Sequence, residues 1–234
     1  MSIPWNKGHT KFTHPSVRKI SDSMKSKKID NFSKWRSEMR ALDKNKSKFL
    51  QLERNGDLAE LLGAVLGDGN IYKHARTEAL RIVSNSNNQG FVDRYVEIIY
   101  NVFGKRPSAL KRKYSNAVNI TIYENNISER LGIPTGAKRH LDYVIPDWIM
   151  VDESYKKRFL RGLFETDGSS SIHLRTSTYK FSFSNKNESL LNTVYNLLVS
   201  LGFHPSIGCD RVQISRKEEV RKAINLLEFR NYAG

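Results

Sequence analysis

The chain of 234 residues holds one cysteine, Cys209. A lone thiol excludes an internal disulfide and leaves no cysteine pair for a structural zinc site, which fits a reducing compartment. No stretch approaches the ~18 consecutive apolar residues that span a bilayer, so no membrane partner is expected. The basic stretch 1–28 lacks the apolar centre of a secretion signal, which makes the expected location intracellular: a cytoplasm, an organelle or a phage-infected cell. Acidic side chains are scarce, with 24 Asp+Glu against 39 Lys+Arg, and the net charge is +15. Hydrophobic residues make up only 38%. They recur in periodic clusters, so a core forms and a wholly disordered chain is excluded.

What is present in excess is positive charge, and it is unevenly spread. Residues 1–56 carry 14 Lys+Arg and 5 Asp+Glu; the remaining 178 carry 25 and 19. A basic arm ahead of a more balanced body predicts a polyanionic partner, because each Lys or Arg that meets a phosphate releases a condensed counterion. In the arm, Pro4-Trp5-Asn6-Lys7-Gly8 reads as a turn and His14-Pro15-Ser16 as a helix start. Val17, Ile20 and Met24 then form one apolar stripe among Arg18, Lys19, Lys25, Lys27 and Lys28. The stretch 31–49 is again charged and helix-compatible.

From Asp57 onward the chain repeats itself. Leu61-Leu62-Gly63-Ala64-Val65-Leu66-Gly67-Asp68-Gly69 returns as Leu160-Arg161-Gly162-Leu163-Phe164-Glu165-Thr166-Asp167-Gly168, 99 residues later. Gly104-Lys105-Arg106-Pro107-Ser108 returns as Gly202-Phe203-His204-Pro205-Ser206, 98 residues later. Each unit reads in one order: an apolar helix ending at Asp-Gly, two strands (70–76 and 79–83; 169–175 and 180–184), and an amphipathic helix closed by glycine (90–103; 188–201). Two more strands (108–113 and 117–123; 206–209 and 211–215) and a last helix (125–131; 217–227) complete it. The expected fold is α+β, with tandem pseudo-twofold αββαββα repeats over 57–150 and 151–234 behind a basic extension, 1–56.

The first helix of each unit has small residues four apart, Gly63 with Gly67 and Gly162 with Thr166. Such a stripe lets two helices approach closely, and close packing brings Asp68 and Asp167 together at their C-terminal ends. Glycine after each aspartate suits a sharp turn into the next strand. Two carboxylates that repel each other and face the negative helix ends are costly unless a cation sits between them. Mg2+, with few carboxylates plus water and phosphate oxygens, is the natural occupant, and phosphodiester cleavage is the chemistry it serves.

Counting in twos from the aspartates puts Asn70, Tyr72, His74 and Arg76 on one strand face of the first unit, and Ser169, Ser171, His173 and Arg175 on that of the second. Lys180 and Ser182, Asn119 and Thr121, and Arg211 and Gln213 continue these faces; Ile172 and Leu174 point the other way. Alternation alone fits any half-solvated sheet. These faces are rich in His, Arg, Asn, Gln, Ser and Tyr and almost free of acid, the composition suited to hydrogen-bonding base edges.

The two nine-residue motifs and the unit order resemble the LAGLIDADG homing endonucleases, in their monomeric two-motif form, over about residues 57–230. The resemblance implies a saddle of two antiparallel four-stranded sheets on double-stranded DNA, divalent-metal-dependent cleavage of both strands, and short 3′ overhangs. It implies Mg2+ as cofactor, with Mn2+ able to substitute and Ca2+ supporting binding without cleavage. By the same resemblance the last acid of each motif, Asp68 and Asp167, binds metal, and Gly67 and Thr166 complete the expected metal site. The sixth motif position, often acidic, is Leu66 in one copy and Glu165 in the other. Lys138, in Gly132-Ile133-Pro134-Thr135-Gly136-Ala137-Lys138, fits the basic residue near the scissile phosphate; Lys217 is the candidate in the second copy. Ser84 or Asn85, and Asn185, fit the water-orienting role. Lys7, Arg18 and Lys19 lie in a segment similar to the small modular DNA-binding motif of some homing nucleases. An intron maturase, which would bind intron RNA, or a transcription regulator on the same scaffold is the competing expectation. An intein is disfavoured for want of flanking splicing segments.

Overall fold

The structure, a computed structural model, describes residues 4–27, 33–41 and 51–232. It divides into two compact units, 1–50 and 51–234. In the first, α1 (Pro15–Ser26) begins where the sequence places it: the His14 ring accepts a hydrogen bond from Ser16 N, and Pro15 occupies the first turn. The His14 ring also gathers Trp5 and His9, at 5.8 and 4.7 Å between ring centres. Lys7, Arg18 and Lys19 are exposed. Of the helix expected over 31–49, α2 (Ser33–Ala41) is seen; its flanks lie outside the described residues.

The second unit holds both repeats. The first runs α3 (Gly56–Leu66), β1 (Asn70–Lys73), β2 (Glu78–Asn85), α4 (Gln89–Phe103), β3 (Ser108–Lys111), β4 (Ala117–Glu124) and α5 (Ile127–Leu131). A connection containing α6 (Asp147–Val151) leads to the second: α7 (Glu153–Asp167), β5 (Gly168–His173), a 3-10 turn (Leu174–Thr176), β6 (Thr178–Ser184), α8 (Glu188–Ser200), β7 (Ser206–Ile207), β8 (Arg211–Ile214) and α9 (Lys217–Leu226). Two antiparallel four-stranded sheets result, in the order β1-β2-β4-β3 and β5-β6-β8-β7. Period-two alternation buries Ile71, Leu80, Ile82, Ile120 and Ile122 in one repeat and Phe181, Phe183, Val212 and Ile214 in the other. α4 is stopped by Gly104, which takes the left-handed conformation (φ +67°) that only glycine adopts without strain.

Three expectations are corrected. β1 and β5 are shorter than alternation suggested, so Arg76 falls in the turn before β2 and Arg175 in the 3-10 turn. The glycines after the aspartates serve close approach and not a left-handed turn. A Cβ at Gly69 would lie 2.5 Å from Val65 Cα, and one at Gly168 would lie 2.2 Å from Phe164 O. Ile172 and Leu174 remain exposed, Ile172 at the end of edge strand β5 and Leu174 beyond it.

The repeats meet through α3 and α7, which pack along each other. A Cβ on Gly63 would sit 2.1 Å from Phe159 O, and one on Gly162 2.1 Å from Glu60 O. Backbone touches backbone in both directions, so no side chain fits at either position.

Candidate nucleic-acid and metal site

The close packing of α3 and α7 carries through to their C-terminal ends. A Cβ on Gly67 would meet the Thr166 hydroxyl oxygen at 2.0 Å and Asp167 Oδ2 at 3.3 Å. Asp167 is the last residue of α7, half-buried; Asp68 follows α3 by two residues and is exposed. Burial, reinforced by the negative charge of Asp68, pushes the Asp167 carboxyl up to about 6, against the stabilising Asn185 amide and Lys138 ammonium. Asn185 Nδ2 donates to Asp167 Oδ2 at 2.8 Å. Two acids from two repeats thus share one electrostatic neighbourhood.

Lys138 reaches the same place from the connection between the repeats. Its Nζ donates to the carbonyl oxygens of Val65, Leu66 (3.1 Å), Gly67 (3.0 Å) and Gly69 (2.6 Å). It therefore neutralises the negative end of α3. Burial lowers its pKa to about 8, opposed by the charges of Asp167 and Asp68. Lys138 and Asn185 border an open cleft together with Gly67, Arg139, Lys186 and Asn187.

The donor chemistry at the acids is all oxygen, and among the described residues no group of three or more His, Cys, Asp or Glu is placed to hold a metal ion, so protein ligands at the acids would number two. Two carboxylates with free coordination positions suit a hard cation that completes its shell with water and phosphate oxygens, so the residues fit Mg2+. Gly67 and Thr166 are otherwise engaged: the Gly67 carbonyl accepts from Lys138, and the Thr166 hydroxyl donates back to Leu163 O at 2.9 Å. Glu165 is turned from the pair, accepting from Arg230 N at 2.6 Å and from Tyr232 OH.

Lys217 does not join this site. Its ammonium lies 5.7 Å from the Tyr179 ring, and Tyr179 pairs with Ile172, four strand positions from the Gly168–Phe183 pair beside Asp167. At ~3.3 Å per residue that is a separation of about 13 Å along the strand. Ser84 lies in register with Val118 on the helix-covered face, and its hydroxyl is 3.5 Å from Asn85 O. Asn85 is the better counterpart of Asn185, since both side-chain oxygens accept from the backbone N two residues on, at 2.9 Å.

The outer faces assemble largely as the sequence parity indicates. Asn70, Tyr72, Asn119 and Tyr123 share one; Ser169, Ser171, His173, Lys180, Gln213 and Arg211 share the other. The Tyr72, His74 and Tyr123 rings form an exposed row, with centres 4.8 and 5.9 Å apart. Thr121 and Ser182 are corrections to the reading face. Both sit on central strands and are buried, Thr121 between Arg81 and Ser108 in register, Ser182 bonded to Ser169 Oγ at 3.0 Å. Arg81 was missed, although it stands 99 residues before Lys180 and, paired with Asn70, is exposed on the same outer face. Arg139, Lys186 and Asn187 were missed because no motif marks them.

The duplicated αββαββα units and the paired motif helices form a fold of the LAGLIDADG type. Residues 154–234 match the LAGLIDADG-like domain family. The fold matches the homing endonuclease I-DmoI: its mesophilic variants at a TM-score of 0.53 and 16% identity, over 74% of this chain and 94% of that one. I-DmoI in complex with DNA and Mn matches at a TM-score of 0.52 and 16% identity, over 74% and 96%. Full-length DUF199/WhiA from Thermatoga maritima matches at a TM-score of 0.53 and 16% identity, over 79% of this chain and 58% of that one. In sequence, the tRNA-splicing ligase RtcB of Methanopyrus kandleri is 30% identical over 132 residues. That alignment covers 49% of this chain and only 13% of the ligase.

Proposed function

We propose that the protein is a site-specific DNA endonuclease that hydrolyses both strands of a duplex with divalent metal and leaves short 3′ overhangs. The convergence of Asp68 and Asp167 carries this reading. Acids from two repeats, placed at one pseudo-twofold centre, suit a substrate whose two strands are themselves related by a twofold axis. Bound Mg2+ supplies Lewis-acid stabilisation of the charge that develops on the phosphate. Asp68 and Asp167 hold the cation, and Asn185 fixes the orientation of the Asp167 carboxylate. Lys138 presents an ammonium against that charge. The outer faces read base edges through Arg81, Lys180, Arg211, Gln213 and the Tyr72–His74–Tyr123 row, while Lys7, Arg18 and Lys19 add phosphate contacts. The protein acts as a monomer, since one chain supplies both halves.

The test begins with selection of bound and cleaved sites from a randomised duplex library. Asp68→Asn and Asp167→Asn keep binding in Ca2+ but lose double-strand cleavage in Mg2+. Both single variants cutting both strands at the wild-type rate would refute the mechanism. A second reading, duplex binding without cleavage, fits the fold equally well, since the match to DUF199/WhiA has the same TM-score of 0.53 as the match to I-DmoI and the fold alone does not select cleavage. A wild-type protein that selects a site yet never cuts it in Mg2+ or Mn2+ supports that reading instead.

A further inference from the structure

The connection carrying Lys138 is clamped by the opposite repeat. Asn187, 6% exposed, caps α8 by accepting from Leu190 N at 3.0 Å. The same side chain donates from Nδ2 to Lys138 O and Leu141 O, both at 2.8 Å. Its backbone N donates to Asn185 Oδ1 at 2.9 Å, and Asn185 in turn holds Asp167. A continuous hydrogen-bonded path therefore runs from the acid of the second repeat to the lysine seated on the first. On the other side, Gly136 N donates to Ile71 O at 3.0 Å, so the connection is tied to both repeats. The matching residue of the first repeat, Asn88, caps α4, but its amide faces Tyr232 OH at 3.5 Å. The tie to Lys138 occurs once, from the second repeat to the first.

We propose that Asn187 is a positioning residue that sets the Lys138 ammonium relative to the paired acids. The role in cleavage rests on the endonuclease reading above; the tie itself does not. Asn187→Ser keeps an oxygen able to cap α8 and removes both amide donors to the strap. In hydrogen exchange, the amides of Gly136 and Leu141 speed up by about tenfold or more while those within α8 keep wild-type protection. Unchanged exchange at Gly136 and Leu141 overturns the tie. In single-turnover cleavage with Mg2+, Asn187→Ser lowers the rate by about tenfold with duplex affinity in Ca2+ unchanged, the scale of other outer-shell orienting groups. Added to Lys138→Met, it lowers the rate by less than about twofold further, because the two substitutions remove one effect. Fully additive losses overturn the proposal. Should Asn187→Ser fail to fold, Asn187→Asp, which also retains the cap oxygen, is measured the same way. Unfolding of both makes the residue a stability element and overturns the proposal as well. A wild-type protein that never cuts, with the exchange result as expected, refutes the endonuclease reading and leaves the tie standing.

Discussion

A carboxylate that titrates near 6 changes how the site meets a cation. Asp167 is held up first by burial and then by Asp68, so below pH about 6 a proton competes with metal for it. Metal affinity therefore climbs as pH rises through about 6 and levels off above. The sign for the metal-free fold is opposite. Between the ordinary aspartate value and about 6 the folded state holds more proton than the unfolded one, so stability falls as pH rises through that window. Carbon-13 NMR of the metal-free protein is expected to show an Asp167 midpoint near 6. Asp68→Asn moves the midpoint lower, because one negative neighbour is gone; an unmoved midpoint would show that the two acids do not sense each other. The acids were legible from their place in a repeated motif, and Lys138 and Asn185 through the family resemblance that the motif carried. Lys217 was misplaced because nothing in its local sequence reveals that α9 starts at the far end of the β5–β6 hairpin. Asn187 was invisible as a tie: its partners are carbonyl oxygens 46 and 49 residues away, and backbone acceptors leave no sequence signature.

At the scale of elements, the duplicated motif helices depend on absent side chains. Alanine is favoured over glycine within a helix by about 1 kcal/mol, so Gly63→Ala or Gly162→Ala would stabilise an isolated helix. Here a Cβ would lie 2.1 Å from a carbonyl oxygen of the facing helix, where no flexible side chain can yield. Overpacking of this kind costs about 1–3 kcal/mol and sometimes more, so the packing effect wins. Each substitution is expected to lower the urea midpoint, and spreading of the helices should cost cleavage more than duplex affinity. A midpoint equal to or above wild type would show that α3 and α7 do not pack backbone to backbone. Periodicity revealed these helices and the eight strands because a buried face imposes period 3.6 or 2 on the residues that form it. It overran the strands at Arg76 and Arg175, where polar residues alternate with small or exposed ones and no core contact enforces a register. It gave no sign of α6, whose five residues between Pro146 and Asp152 are too few to show a period.

At the scale of the molecule, excess charge and repeat pairing lead to two further expectations. Phosphate contacts from a chain of net charge +15 make duplex affinity fall steeply with salt, each phosphate neutralised adding about 0.9 to the log–log slope. A nearly flat slope, measured with Ca2+ present, would remove the electrostatic part of the reading. The two repeats, though alike in order, are not interchangeable where they join. Glu60 of the first is wholly buried and meets Arg94 of its own repeat at 2.6 Å and Arg158 of the other at 2.6 Å, with Arg161 at 3.7 Å. The position matching Glu60, 99 residues on, is Phe159, and those matching Arg158 and Arg161 are Ala59 and Leu62. Two copies of the first repeat set face to face would leave each Glu60 facing Ala59 and Leu62 in place of the arginines of the second, so the charge set favours the unlike pair within one chain. Glu60→Gln leaves three arginines around a neutral amide, and breaking a buried ion pair from one side costs about 3–5 kcal/mol. Chemical denaturation should show a loss of that order, and analytical ultracentrifugation should show the wild type monomeric. A Glu60→Gln protein as stable as wild type would mean that solvent already screens the cluster, and the buried charges could not then be what sets the pairing of the repeats.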